Sequence, residues 1–331
     1  MTLRALKLPQ DTRVLEALIV PGFQYPDHPE WGVQADEAEA IADTMRSVRR
    51  MWPLLAPFWR LSPAMRDVLR AVIWEEDGKP VGTAFVSRQG GSDCWYISSV
   101  AVLPAYRRRG IARRLVEATI AEARRRGGKM VVLDVIEGNT PAIDLYLKLG
   151  FERFDEGLQF EYVPERQRPL PELPAIYRVA EVPFMRWRPK FALAGRVTPA
   201  VVRRYQPVVP ALYRVPLAQQ VPMLTISRLA GDAARQMVIR LARGGEVVAA
   251  VNYQLRTRPG GFTICNPLLD PAHGHLAPYL LGYVAHRALL VSPGRRLQTQ
   301  IPGWQQDLVE AARRLDFALK LKACKLGMAL D

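Results

Sequence analysis

Cysteine is scarce in this 331-residue chain: Cys94, Cys265 and Cys324 stand far apart, in no CxxC or other ligand-binding spacing. An odd, scattered set excludes a disulfide scaffold and implies a reducing, cytoplasmic setting. The N-terminus, Met1 to Lys7, is broken by Arg4 and does not read as a secretory segment. Long apolar runs are missing too. The most apolar stretch, Leu280 to Val291, contains His286 and Arg287. It falls far short of the ~20 residues a membrane span needs, so a soluble protein with no membrane partner is expected. Neither GxGxxG nor a Walker lysine motif occurs, which disfavours dinucleotides and nucleoside triphosphates. His273 and His275 have no companion cluster of Cys, His or carboxylates, so a plain turn and no metal are expected.

Positive charge, by contrast, is abundant, with a formal net charge of +14. Residues 1–164 balance 22 Lys and Arg against 22 Asp and Glu, so residues 165–331 carry the whole excess. A surface for nucleic acid is one reading of that half, and Arg186-Trp187-Arg188-Pro189-Lys190-Phe191 interleaves bases with aromatics as such surfaces do. Alternation on a strand produces the same pattern, and an Arg- and Pro-rich genome accounts for the excess equally well. Lys320, Lys322 and Lys325 read as a solvated strand face. Four prolines lie between Pro164 and Pro174, a stretch poor in backbone donors and biased to extended chain. It divides the sequence into residues 1–164 and 175–331 with 165–174 as linker, in line with about 100–200 residues per domain.

The first half reads as mixed α/β. A short strand is expected at Leu3–Leu8, a helix from Asp11 to Leu18, and further helices around Ala35–Met51 and Pro63–Arg70. Ala71–Trp74 and Val81–Val86 flank Asp77-Gly78, a strong hairpin signal. A strand from Trp95 to Leu103 leads to a helix opened by Gly110, with Ile111, Leu115, Val116, Ile120 and Ala123 on one face and Gly127-Gly128 as its stop. Met130–Ile136 reads as a buried strand. Thr140 is placed to cap the next helix with Pro141 at its first position, and Gly150 ends it. The second half repeats this plan. Val72-Ile73, Gly78 and Val81 recur as Val238-Ile239, Gly244 and Val247, and Leu149-Gly150-Phe151 as Leu315-Asp316-Phe317, each 166 residues later. Pro104-Ala105 recurs as Pro271-Ala272, one residue out of that register. Elements in order at one offset indicate a duplicated fold.

Two segments carry chemistry. Val100 to Leu115 runs strand, turn, helix, with little side chain at Gly110 and Ala112 and with Arg107, Arg108, Arg109, Arg113 and Arg114 around the turn. Backbone N–H groups converging at the positive end of a helix suit a pyrophosphate, although an ordinary helix start with solvated arginines looks the same. The second segment, Asn139 to Phe151, follows the next strand. Together they resemble the GNAT superfamily of N-acetyltransferases. Its acetyl-CoA signature Q/R-x-x-G-x-G/A is met by Arg107, Gly110 and Ala112, and its later NxxAxxxYxxxGF by Asn139, Ala142, Tyr146, Gly150 and Phe151. The resemblance is specific over residues 70–155 and diffuse elsewhere.

The resemblance implies an α/β (α+β) fold of two GNAT-like domains, each a twisted mixed sheet flanked by helices, with catalysis in residues 1–164. It implies that backbone groups of Val100 and Val102, on a splayed strand, bind the pantetheine arm and acetyl carbonyl. The amides of Arg108, Arg109, Gly110, Ile111, Ala112 and Arg113 would hold the pyrophosphate, with Arg107 beside them and Asn139 on the pantetheine. Tyr146 would lie by the thioester sulfur and protonate the leaving thiolate; a plain buried aromatic is its alternative role. The reaction implied is direct transfer of acetyl from acetyl-CoA to an amine of a small molecule or peptide.

No base is assigned. Many relatives place a carboxylate on the strand before the loop, where this chain has Ser98-Ser99, leaving Asp134, Glu137, Asp93 and Glu76 as candidates. Phe23, Tyr25, Trp31, Trp52, Phe58 and Trp59 are candidates for an acceptor wall, and Asp27, Glu30, Asp36 and Glu37 for attracting a cationic amine; core packing and a solvated helix face explain them as well. In the second half Tyr146 maps to Ala312, Gly150 to Asp316 and Asn139 to Gln305, and the loop maps to the segment from His273 to Pro278. That copy is expected to be degenerate, without catalysis. The expected protein is a cytoplasmic N-acetyltransferase, monomeric or homodimeric. Its alternatives are a CoA-binding sensor or scaffold and a nucleic-acid- or ribosome-associated acetylase recruited by the basic half.

Overall fold

The structure, a computed structural model, describes residues 1–62, 66–67, 69–165, 169–215, 220, 232–257 and 262–330. They form two compact units. The first is built from Met1–Phe154 and the chain end from Lys325; the second from Asp155–Val215 and the described residues between Asp232 and Cys324. The units are therefore not contiguous in sequence: most of the strand Glu152–Tyr162 lies in the second and the end of the strand Ala318–Ala329 in the first.

The first unit contains β1 (Thr2–Ala5), α1 (Thr12–Gly22), α2 (Ala35–Leu61), β2 (Arg70–Glu76), β3 (Lys79–Arg88), β4 (Cys94–Val102), α3 (Ile111–Arg125), β5 (Met130–Ile136) and α4 (Thr140–Lys148). Its strands lie in sequence order, β1 to β4 antiparallel and β4–β5 parallel. Helices cover both faces of this sheet, which is why Val81–Val86 reads as a continuous buried run rather than an alternating one. Trp74, Val81, Ala84, Val102, Ile111 and Leu115 pack under α3, while Leu15, Ile19, Ala71 and Phe85 pack on the opposite face under α1. Asp77 (φ 51°) and Gly78 (φ 73°) make the expected hairpin turn between β2 and β3.

The second unit contains β6 (Glu152–Tyr162), β7 (Tyr177–Val182), α5 (Arg188–Val197), α6 (Ala200–Tyr205), α7 (Pro210–Tyr213), β8 (Asp232–Leu241), β9 (Val247–Arg256), β10 (Thr263–Leu269), α8 (Ala277–Val291), β11 (Leu297–Pro302), α9 (Gln306–Arg314) and most of β12 (Ala318–Ala329). Its strand order is β6-β11-β10-β9-β8-β7, parallel only at β10–β11. The order helix–hairpin–strand–helix–strand–helix of the first unit recurs, down to backbone detail. Gly150 (φ 94°) ends α4, and Asp316 (φ 63°) takes the same left-handed turn after α9, although a side chain there is strained.

Four local expectations need correction. The first strand stops at Ala5, short of Leu8, because Lys7 and Asp11 already close a turn (Asp11 N–H to Lys7 O, 2.9 Å). Helix α2 runs through Pro53 and Pro57 to Leu61 instead of ending near Met51, since each proline removes one internal bond that a long helix absorbs. Asn139, not Thr140, is the cap of α4: its side chain accepts from the Ala142 N–H at 3.3 Å. Arg188–Phe191 is helical rather than strand-like, with Pro189 in the first turn of α5, where its missing N–H costs nothing. Of the helix expected over Pro63–Arg70, residues 63–65 and 68 lie outside the described residues, and Arg70 already belongs to β2.

Candidate active site

The site begins with a defect in β4. Against β3, Thr83 pairs with Ala101 and Phe85 with Ser98, so two β4 residues oppose one on β3, and Ser99 adopts φ 50°. Such a bulge bends its strand and leaves a residue outside the ladder. On its other side β4 pairs with β5 only from Cys94–Met130 to Ile97–Leu133, although β4 continues to Val102 and β5 to Ile136. The two strands part beyond those residues, and Val100 and Val102 lie in the parted segment.

The chain then turns through a 3-10 segment, Pro104–Tyr106, into α3. Arg108 (φ 63°) and Gly110 (φ 76°) alternate left-handed backbone around Arg109. Successive N–H groups in such a run form an anion-binding concavity. No side chain caps α3, its first turn holds no acid, and Arg114 is the first N–H taken by the Gly110 carbonyl (3.2 Å). A Cβ at Gly110 would meet nothing within 4 Å, so the space before the turn is open. Ala112 is half-buried, and Ile111 anchors the helix in the core.

The arginines divide by task. Arg107 is a clamp: Nε donates to the Val102 carbonyl (3.2 Å) and Nη2 to those of Gly22 (3.0 Å) and Gln24 (2.9 Å), with the guanidinium over the Tyr25 ring. Its side chain is thus spent on tying the turn to the end of α1. Arg109 reaches Ala105 O at 3.0 Å and Glu76 at 3.5 Å, Arg113 pairs with Glu117 at 2.8 Å, and Arg114 lies over Trp74. Arg108 is exposed.

The side chain of Asn139, at the head of α4, lies near the Tyr25 hydroxyl. Trp31 lies edge-on to Tyr25 and against Gly138, where a Cβ would come within 3.3 Å of its ring. One turn into α4, Tyr146 is buried, edge-on to Phe151, and no side chain among the described residues hydrogen-bonds its hydroxyl. Burial pushes the Tyr146 phenol well above its ordinary pKa, and neighbouring Tyr25 adds to the rise.

Of the four candidate bases, Asp134 alone meets this group. Tyr96 donates to its Oδ2 at 3.1 Å, and Tyr96 is within electrostatic reach of Tyr146. Asp134 is exposed as a residue, yet the protein packed around its carboxyl raises its pKa, a rise partly offset by Lys325 and by the Tyr96 hydroxyl. Lys325 arrives on the end of β12, which neighbours β5 (Leu330 N–H to Lys129 O, 2.9 Å). Glu76 faces Arg109, and Glu137 faces Arg153 at 3.2 Å. Asp93 lies at the opposite end of β4 near Lys129. Tyr25, Trp31, Tyr96 and Lys325 had no motif to mark them; only aromatic content pointed to the first two. Among the other aromatics, Phe23 joins the core under α1, and Trp52 and Trp59 pair with each other on α2. Glu30 faces His28 and Glu37 the Gln34 N–H, Asp27 is exposed, and the side chains of Asp36 and Phe58 lie outside the described residues.

The second unit treats the same places differently. β10 pairs with β9 in unbroken register from Ile264 to Leu269, so it has no bulge. Gln305, the residue before α9 as Asn139 is before α4, is buried; its Oε1 accepts from the Leu269 N–H (2.8 Å) and its Nε2 donates to the Leu269 carbonyl (3.0 Å). A side chain of the protein thus occupies the backbone groups at the end of β10. Asp307 crowds Gly274 in the loop before α8, placing a carboxylate where an anion would lie. His273 and His275 both face the Tyr177 hydroxyl, at 2.8 and 3.1 Å. Among the described residues no group of three metal-ligating side chains occurs, and no helix is long and apolar enough to cross a membrane.

A bulged strand parting from its parallel neighbour, followed by an open turn and an uncapped helix, is the geometry of a GNAT-like fold. Residues 38–151 match the model of the acetyltransferase (GNAT) family. The chain is 34% identical over 91 residues to the mycothiol acetyltransferase of Thermobifida fusca, covering 28% of this chain and 24% of that protein. Over 87 residues it is 38% identical to the N-alpha-acetyltransferase RimI of Mycobacterium tuberculosis, covering 26% of this chain and 52% of that one. The chain thus spans about a quarter to a half of these curated relatives. Among solved structures, a tandem GNAT protein from the clavulanic acid biosynthesis pathway superposes with TM-score 0.63 at 15% identity, covering 99% of this chain and 98% of that one. A GCN5-related N-acetyltransferase from Sphaerobacter thermophilus does so with TM-score 0.64 at 15% identity, over 99% and 95%. Residues 38–151 are thus similar to the GNAT family, and the whole chain shares the fold of a tandem GNAT protein, two GNAT-like folds in one polypeptide.

Replacing Gln305 with Ala is expected to lower the unfolding free energy by about 1–3 kcal/mol, because two buried backbone groups lose their partners. Denaturant unfolding measures this, and an unchanged midpoint would show that Leu269 does not depend on the Gln305 amide.

Proposed function

We propose that the first unit is an acetyl-CoA-dependent N-acetyltransferase that moves an acetyl group directly to the amine of a small molecule or peptide. The observation that carries this reading is the meeting, at one end of β4, of the parted strands, the open turn at Arg108–Gly110 and the buried hydroxyl of Tyr146. The turn suits a pyrophosphate because its N–H groups are uncapped and the helix dipole is positive there. Val100 and Val102 offer strand groups for an extended amide-bearing arm, and the 34% and 38% identities to named acetyltransferases support the same donor.

In this reading Asp134 takes the proton of the incoming ammonium, directly or through water, while Tyr96 holds the carboxylate. The amine nitrogen bonds the acetyl carbon, the carbon–sulfur bond breaks, the departing sulfur takes the Tyr146 proton, and the second proton shed by the nitrogen as it becomes an amide returns through water to the Tyr146 oxygen. A phenol whose pKa is raised by burial is in its protonated form at neutral pH, when the thiolate leaves. Tyr25 and Trp31 form the aromatic wall beside Asn139. The second unit, with Gln305 on Leu269, serves no catalysis of its own.

Three measurements test the reading. Gly110→Glu places a carboxylate in the open space before α3, at a left-handed residue, and is expected to weaken CoA binding at least about a hundredfold by calorimetry, the worth of about one charge-assisted contact; undiminished binding would remove the turn from the donor site. Tyr146→Phe is expected to lower kcat about 10²–10⁴-fold with KM for acetyl-CoA little changed. Equal turnover would reduce Tyr146 to a packing role. For Asp134, a raised carboxyl pKa means the base is protonated and idle at low pH, so kcat/KM rises with pH on a limb centred above the usual ~4 of a carboxylate. In Asp134→Asn that limb is expected to vanish along with most of the rate, and a surviving limb would assign the base elsewhere.

A further inference from the structure

We infer that the first unit carries a second ligand site, sharing no residue with the turn before α3, Asn139 or Tyr146, that takes a monocarboxylate with an apolar tail. A cavity of about 680 Å³ lies where β1, β2 and the second half of α3 meet. That volume is in the range of small-molecule sites, about 300–1,000 Å³. Its walls are apolar, from Leu3, Trp59, Leu69, Val72 and Ala118.

Four guanidinium groups, of Arg4, Arg66, Arg70 and Arg125, line the same cavity, and two of them have N–H groups without a partner. Arg70 gives Nε to Asp67 at 2.8 Å and Nη1 to Glu122 at 3.0 Å, yet its Nη2 is buried and without a partner. Arg66 lines the cavity with a buried Nε that has no partner, and no side chain among the described residues pairs with its guanidinium. Buried N–H groups of charged side chains left unpaired are costly, and folded proteins keep few of them. A carboxylate accepts from two guanidinium N–H groups at once. The charge also fits: four guanidinium groups line the cavity against the single carboxylate of Glu122, and of the four Arg66 alone has no ion-pair partner among the described residues. Inorganic phosphate leaves the apolar walls without a partner.

The test is calorimetric titration of the full chain with octanoate, with 1-octanol as the uncharged probe of equal length and inorganic phosphate as the charge without a tail. Saturable octanoate binding is expected at a Kd of about 1 mM or tighter, with octanol and phosphate each at least about tenfold weaker. Arg66→Gln is expected to weaken octanoate about tenfold and leave octanol unchanged, and Ala118→Leu, which fills the cavity, to weaken both. Octanol binding as tightly as octanoate would overturn the proposal, as would octanoate affinity unaltered by both variants. Absence of saturable octanoate binding at about 1 mM overturns it without recourse to any variant.

Discussion

The parting of β4 from β5 is the constraint on which the rest of the first unit depends. A parallel pair satisfies its backbone groups by continuing, and this pair stops at Ile97 and Leu133. The bulge at Ser99 turns the remaining strand away from its neighbour and forces a non-glycine residue to φ 50°. A left-handed side-chain residue costs about 1–2 kcal/mol, so the strand holds the bend only because the helices on both faces over-determine it. Gly22 marks how close that packing is: a Cβ there would come within 2.7 Å of the Ala101 side chain. Everything chemical in the unit, from Val100 to Tyr146, is arranged around the gap that results.

Comparison of the two units isolates what the gap requires. They share strand order, hairpin glycines and left-handed helix stops, yet β10 has no bulge and the Gln305 amide takes the backbone groups at its end. An amide offers one donor and one acceptor, the same pair of groups that an extended arm would present to a strand. The second fold thus satisfies from within what the first, in the proposed reading, leaves in part for a ligand, the Val102 carbonyl being shared with Arg107, and Asp307 beside the loop sets a carboxylate there. Loss of a site here is a positive construction, a buried polar network with its partners in place.

Much of this was legible in the residues. The hairpin at Asp77-Gly78, the α3 face from Ile111 to Ala123 and the 166-residue offset follow from local rules of turn chemistry and periodicity, which act over a few residues. The turn at Gly110 and the placing of Tyr146 on α4 were visible as spacing. Misreadings fell where a local rule had a close competitor: Asn139 against Thr140 as cap, two prolines inside α2, and a basic aromatic segment around Trp187 that folds as helix. Charge was the least informative feature. Arg107 stands in the signature as a cation, but it acts as a donor to three carbonyls.

By itself, the sequence determined the two-fold repeat, the order of strands and helices, and the positions of Gly110, Asn139 and Tyr146, because each rests on contacts between near neighbours in the chain. Tertiary structure alone decided which side chains join them. Tyr25 comes from a loop more than a hundred residues before Asn139, and Lys325 from the end of the chain, 191 residues after Asp134. Pairing over such distances depends on which strand lies beside which and in what register, and no pattern along one strand encodes its neighbour.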